Sequence, residues 1–311
     1  MGGPYNTFTR CSSLVQGKRR SIILPNKCRD AYSFEDILAL QRKIYSDRIP
    51  ALDLSRIEFI EPYSLVNLLL LGRNYLRRTG SKLELINIPL QIYLYMLRMD
   101  FFSYGIFTVT QDVDQKLLYK KSAFSNRVVE ITEIPGKERE SIKVISGIIG
   151  IFRKRANHIL KYWLSAEIID YFVTVISEVC QNIFEHSLDS GFFAIQTYAV
   201  GSEHVVRLII ADSGIGIAES FTGRSDIVHH SNAQLIELSL TTPISSKRRF
   251  GYGLCQVNAI LEKLRGSIFI RSADSSVAVL YNRKQGGASS IFCKNDLTLF
   301  PGTQISISLT A

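Results

Sequence analysis

The chain has 311 residues, 46% hydrophobic and 21% charged, enough apolar material for two packed domains and too much for extended disorder. Its formal net charge of +9 suits a polyphosphate or an acidic partner, but no basic stripe interleaved with aromatics is visible, which argues against nucleic acid. Cys11, Cys28, Cys180, Cys255 and Cys293 form no C-x-x-C pair, no apolar run approaches the length of a bilayer span, and residues 1–20 lack a secretory core, so a reduced, cytoplasmic protein without a membrane segment is expected.

Residues 21–24 predict a short strand. Ser33 is placed to cap a helix over 33–46, in which Phe34, Ile37, Leu38, Leu40, Ile44 and Tyr45 recur at helical spacing. Ala51–Ser55 reads as a buried strand and Phe59-Ile60 follows. Pro62 suits the first turn of the next helix and Gly80 stops it. Leu83–Asn87 is another strand, and Pro89 opens a helix bearing Ile92, Leu94, Leu97 and Met99. Strands alternating with helices predict a small α/β layer.

The text ALDLSRIEFIEPYSLVNLLLLGRNYLRRTGSKLELIN resembles a STAS domain, the fold of anti-sigma-factor antagonists. In that family a strand ending in Asp-Leu-Ser leads to a loop whose serine is phosphorylated. Here the loop reads Glu61-Pro62-Tyr63-Ser64. The acid is kept as Glu61, but the two serines are replaced, so the phosphoacceptor is not carried over and Ser64 is expected to bond the local backbone. The resemblance implies a STAS-like α/β domain over 1–125 and a linker at 126–140, where Val128–Ile131 has the composition of a strand.

Beyond the linker, residues 139–162 place apolar and basic side chains at helical spacing. Ser165 is expected to cap a second helix running through His186, with Ile168, Phe172, Val175, Ile176, Val179 and Ile183 as its buried stripe. Glu178, Asn182 and His186 fall at i, i+4 and i+8, along one face. An amide oxygen at Asn182 can ligate Mg²⁺ without adding charge beside a triphosphate. A carboxylate one turn earlier, Glu178, can orient or deprotonate an attacking water or hydroxyl. His186 is placed to touch phosphate or a lid. Taken alone, such a strip is also what the solvated face of an amphipathic helix looks like.

Residues 192–200 and 204–211 predict antiparallel strands joined near Gly201, the second delivering Asp212-Ser213-Gly214-Ile215-Gly216. Residues 218–250 read as a lid, ending in Lys247, Arg248 and Arg249 within reach of a γ-phosphate. Gly251 and Gly253 precede a helix that starts at Leu254, and amides at a helix start suit phosphate. Segments 266–271, 276–281 and 303–309 supply further strands.

In order and spacing, Glu178–His186, Asp212–Gly216, Gly251–Leu254 and Gly302-Thr303 resemble the N box, G1 box, G2 box and closing Gly-Thr of the GHKL ATP-binding fold. Gyrase, the heat-shock chaperone ATPases, histidine kinases and mismatch-repair ATPases share that fold. The resemblance implies an α+β chain with a Bergerat-type two-layer sandwich over 141–311, a mixed sheet with helices on one face, and ATP and Mg²⁺ as ligands. It implies that Asp212 accepts a hydrogen bond from the adenine amine, that Gly214 and Gly216 let the backbone approach the base, and that Thr303 helps hold it through water.

The pattern Glu-x-x-x-Asn-x-x-x-His is similar to that of the anti-sigma-factor serine kinases, whereas His158 lacks the context of a histidine-kinase phosphoacceptor. Three functions follow from these resemblances. The first is a nucleotide-dependent switch with slow hydrolysis, and the second a serine/threonine kinase acting on a STAS-like partner. The third is a scaffold that binds ATP without turnover. A protein partner is expected in each, either STAS-like or a second copy of the chain.

Overall fold

The computed structural model describes residues 20–28, 30–46, 51–110, 127–136, 146–147, 150, 154, 158–162, 164–183, 187–243, 253–281 and 289–310. The N-terminal half runs β1 (Ser21–Ile23), β2 (Lys27–Cys28), α1 (Ala31–Ser46), β3 (Ala51–Asp53), β4 (Phe59–Ile60), α2 (Pro62–Thr79), β5 (Leu83–Ile86), α3 (Leu90–Arg98) and β6 (Phe107–Val109). Strands β1, β3, β5 and β6 pair in that order, all parallel, as βαβ connections require.

Helix α1 begins earlier than its expected cap. The Ser33 N–H donates to Asp30 Oδ1 at 2.9 Å and the Asp30 N–H to Ser33 Oγ at 3.1 Å, so Ser33 closes a capping box from inside the first turn. Helix α2 keeps its expected bounds, with Pro62 in the first turn and Gly80 at φ 71 as a left-handed cap. Every residue from Pro62 to Tyr75 is buried. A helix covered on all sides must lie between two layers. On one side Gly72 faces β6 so closely that a Cβ would sit 2.4 Å from the Phe107 ring. On the other, α2 packs against a second sheet.

That sheet belongs to β7 (Val128–Ile134), β8 (Gly191–Val200), β9 (Glu203–Asp212), β10 (Ser267–Ala273), β11 (Ser275–Leu280), β12 (Ser290–Lys294) and β13 (Phe300–Thr310), in the order β12-β11-β10-β13-β9-β8-β7. Every pairing in it is antiparallel, where a mixed sheet was expected. The reason is topological: β9 and β10 run the same way, but β13 inserts between them, opposed to both. Strand β7 forms the edge next to β8, so the sheet starts inside the segment assigned to the linker.

Four helices, α4 (Ala166–Asn182), α5 (Gly216–Ser220), α6 (Asn232–Thr241) and α7 (Gly253–Leu264), share one core with the inner face of this sheet. Phe172, Val179, Val257 and Leu261 meet Ile210, Ile270 and Ile307 there. The outer face is not bare. Phe192, Ala194, Ile209, Ala211 and Phe300 join the core of the N-terminal half, so helices cover both faces rather than one. Arg271, buried at the centre of this seam, donates from Nε to Glu35 Oε1 at 2.6 Å and from Nη1 to the Ala273 carbonyl at 2.7 Å. Arg207 pairs with Glu61, and the Tyr95 hydroxyl donates to Gln196 Oε1 at 2.8 Å. The segment Glu61–Ser64, the cap and first residues of α2 where a loop was expected, is thus seated against the outer face, with Ser64 buried. No helix of the described residues is long and apolar enough to cross a membrane.

Candidate functional site

Ser165 starts α4 as expected, its Oγ accepting the Ile168 N–H at 3.4 Å. Phe172, Val175, Ile176 and Val179 are buried on the inner side, joined by Ile169 and Val173, while Ile168 is only partly covered. Glu178 and Asn182 are half-buried on the neighbouring face. They meet the first residue of α7 there. A Cβ built on Gly253 would lie 3.2 Å from Asn182 Nδ2, 3.3 Å from Asn182 Oδ1 and 3.4 Å from Glu178 Oε2. Glycine at this position lets the α7 N-terminus approach the carboxamide and the carboxylate without crowding them. An oxygen ligand, a carboxylate and the amides of a helix start therefore share one spot, which suits a phosphate–Mg²⁺ group. Leu254 packs against the inner core.

Asp212 closes β9 and is buried. Its Oδ1 accepts from Ser187 Oγ at 2.6 Å and from the Gly214 N–H at 2.8 Å. Burial pushes its carboxyl up to about 6, against the lowering effect of hydrogen bonds from Ser187, Gly214 and the Thr303 N–H. The wall around it is built of positions that tolerate no side chain. A Cβ on Gly214 would lie 1.9 Å from the Ser187 carbonyl oxygen, and one on Gly302, at φ 84, would lie 2.1 Å from that of Asp212. Gly216, at φ 82, faces Ser272. Ser272 Oγ accepts the Ile217 N–H at 2.8 Å, bonds the Gly302 carbonyl at 3.3 Å and lies 3.4 Å from Thr303 Oγ1. A buried carboxyl acceptor in a cradle of bare backbone fits a flat base that carries an amine donor.

The two clusters stand five residues apart along the chain: Asn182, the last residue of α4, faces Gly253, and Ser187 holds Asp212. Of the expected site residues, Glu178, Asn182 and Gly253 are brought together in one cluster, and Asp212, Gly214, Gly216 and Thr303 in the other. His186, Lys247, Arg248, Arg249 and Gly251 lie outside the described residues.

Ser187 and Ser272 were not anticipated. Ser187 had a weak signal in its place just after the N-box pattern, while Ser272 is one strand serine among many. The expected lid over 218–250 also needs correction. Ser231 and Gln234 form a capping box, and α6 buries Ala233, Leu235, Ile236 and Leu240 in the inner core. Helix α6 therefore belongs to the inner core, and residues 244–252 lie outside the described residues.

Residues 168–298 match the family model described as Histidine kinase-, DNA gyrase B-, and HSP90-like ATPase. The match takes in Glu178, Asn182, Asp212 to Gly216 and Gly253, and it stops short of β13 with Gly302 and Thr303. It supports a GHKL domain with an ATP-binding, regulatory role in this part of the chain; domains of this kind bind ATP, generally with Mg²⁺. No curated protein matches the chain.

Proposed function

We propose that the chain is a cytoplasmic, ATP- and Mg²⁺-dependent signalling switch with slow hydrolysis. The observation that carries this reading is the pair of clusters five residues apart in the chain, Asn182 and Glu178 against Gly253 and Ser187 on Asp212. Asp212 would receive the adenine amine, with Gly214, Gly216 and Gly302 keeping the base's edge clear and Ser272 and Thr303 offering hydroxyls to a bridging water. The amides at the start of α7 would hold phosphate oxygens. Asn182 would supply an uncharged oxygen to Mg²⁺, and the ion would screen the triphosphate charge when bound. Glu178, beside Asn182, would hold an attacking water and take its proton. Each end of the nucleotide would thereby engage one of the two clusters, which suits a protein that changes shape on binding.

A second reading is a serine/threonine kinase of the anti-sigma-factor type acting on a STAS-like partner. The parallel β1-β3-β5-β6 sheet with intervening helices supports a STAS-like N-terminal half. The chain's own Ser64 is buried against the outer sheet face, on the side away from helix α4 that carries Asn182 and Glu178, so such a kinase would act on a separate molecule.

ATP labelled at the γ-phosphate separates the readings. Free phosphate supports the switch, a labelled partner supports the kinase, and binding without either leaves a scaffold. Asn182→Ala should abolish Mg²⁺-dependent nucleotide binding in calorimetry, and Glu178→Ala should bind normally and lose turnover.

A further inference from the structure

Residues 187–190 are tied to the nucleotide cluster on one side and to the N-terminal half on the other. Toward the cluster, besides the Ser187–Asp212 bond, the Ile215 N–H donates to the Ser187 carbonyl at 3.1 Å and Ser213 Oγ donates to Asp189 Oδ2 at 2.8 Å. Toward the N-terminal half, Arg77 in the last turn of α2 grips Asp189 with both terminal guanidinium nitrogens, Nη1 on Oδ2 and Nη2 reaching Oδ1 at 2.7 Å. Arg73, one turn earlier, donates from Nη1 to the Ser190 carbonyl at 3.2 Å. Between these anchors Leu188 adopts φ 62, a left-handed backbone that leucine rarely takes, so the bonds impose the shape of the loop. Burial raises the proton affinity of Asp189, but hydrogen bonds from Arg77, Ser213 and the Ser190 N–H outweigh it and hold the carboxyl below its usual range. The Asp189 side chain is 16% exposed and that of Arg77 50%.

We infer that Arg77 is a positioning residue for the nucleotide pocket, and that its ion pair with Asp189 is the joint through which the N-terminal half sets the affinity for adenine. This deepens the ATP reading and rests on it. The path is short: the Arg77 guanidinium fixes the Asp189 carboxylate, which takes the Ser213 hydroxyl and so fixes the peptide next to Asp212. The same loop presents Ser187 to the other side of Asp212. Without Arg77, a charged and largely covered Asp189 loses its two-pronged partner and keeps only the Ser213 hydroxyl, the Ser190 N–H and Arg73 at 4.0 Å. The loop then relaxes toward a backbone that suits Leu188, and the orientation of Asp212 goes with it. Because α2 lies between the two sheets, a displacement of the parallel sheet is passed to Arg77 directly.

The test uses the full chain and the variants Arg77→Ala, Arg77→Lys, Asp189→Asn and the double Arg77→Ala/Asp189→Asn. Affinities for Mg·ATP and for Mg·inosine triphosphate, which lacks the adenine amine, are measured by calorimetry, with melting temperatures taken without nucleotide. Arg77→Ala and Asp189→Asn should each weaken ATP about tenfold, and the double variant should lose no more than either single one. Arg77→Lys should recover part of the loss, and the preference for ATP over inosine triphosphate should narrow. Unchanged ATP affinity in Arg77→Ala overturns the inference. Equal losses for both nucleotides that track a fall in melting temperature also overturn it, because they assign Arg77 a merely structural part. Should Arg77→Ala fail to fold, the reversed pair Arg77→Asp/Asp189→Arg decides: restored ATP preference supports the joint and a lost preference overturns it. A wild-type chain that binds neither nucleotide overturns the ATP reading itself.

Discussion

Asp212 has its carboxyl lifted to about 6 by burial, from an ordinary 3.8. The folded chain therefore holds this proton more tightly than the unfolded one. Its neutral form favours the fold fully below the unfolded value, and that contribution is lost as pH rises through the folded value. The loss amounts to roughly 3 kcal/mol between pH of about 4 and about 6. Urea midpoints measured across that range should fall for the wild type, and Asp212→Asn, which carries no proton to lose, should flatten this part of the curve. Nucleotide binding should run the other way. An amine donor wants the ionised carboxylate, so ATP affinity should rise as pH climbs through about 6 and should not rise in Asp212→Asn. Wild-type-like ATP affinity in Asp212→Ala would count strongly against an adenine pocket here.

At the scale of elements, local signals were read well and distant ones poorly. Pro62, Gly80 and Ser165 mark helix ends because they act on their own backbone, and each does so in the structure. Glu178, Asn182 and Asp212 were legible because helical spacing and a strand end place them irrespective of what packs nearby. The all-antiparallel sheet was not legible, since nothing in β13 itself says that it will enter between β9 and β10. Asp189 and Ser272 work through partners far along the chain and leave no local mark, and Ser187 leaves only its place after the N-box pattern. Helix α6 is a different miss: its capping pair and its Leu235, Ile236 and Leu240 were in view, and assigning the whole segment to a lid obscured them. As a core element, α6 should be intolerant of truncation. Ile236→Ala is expected to cost about 2–4 kcal/mol in chemical denaturation, whereas a loss within about 0.5 kcal/mol would mean that α6 lies on the surface.

On the scale of the whole molecule, the two halves expected as domains meet along a single sheet that serves two cores. Arg271 lies at the seam, bonded to Glu35 of α1 and to the carbonyls of Ala273 and Thr298. Removing the carboxylate leaves a buried guanidinium without its counter-charge. Glu35→Ala should cost about 3–5 kcal/mol, and the chain should still unfold in one transition followed alike by calorimetry and circular dichroism. Separate transitions for the two halves would show that the seam does not couple them.

The position of β13 in the chain bears on how such a molecule is made. It is a middle strand of the large sheet, yet it follows every other strand of that sheet in chain order. On the ribosome, α2 emerges long before the strands it rests on, and Ile209 and Phe192 emerge before Phe300 can complete their side of the seam. A nascent chain of this design leaves that apolar surface uncovered until the closing strand arrives, the kind of exposure that favours association with other chains.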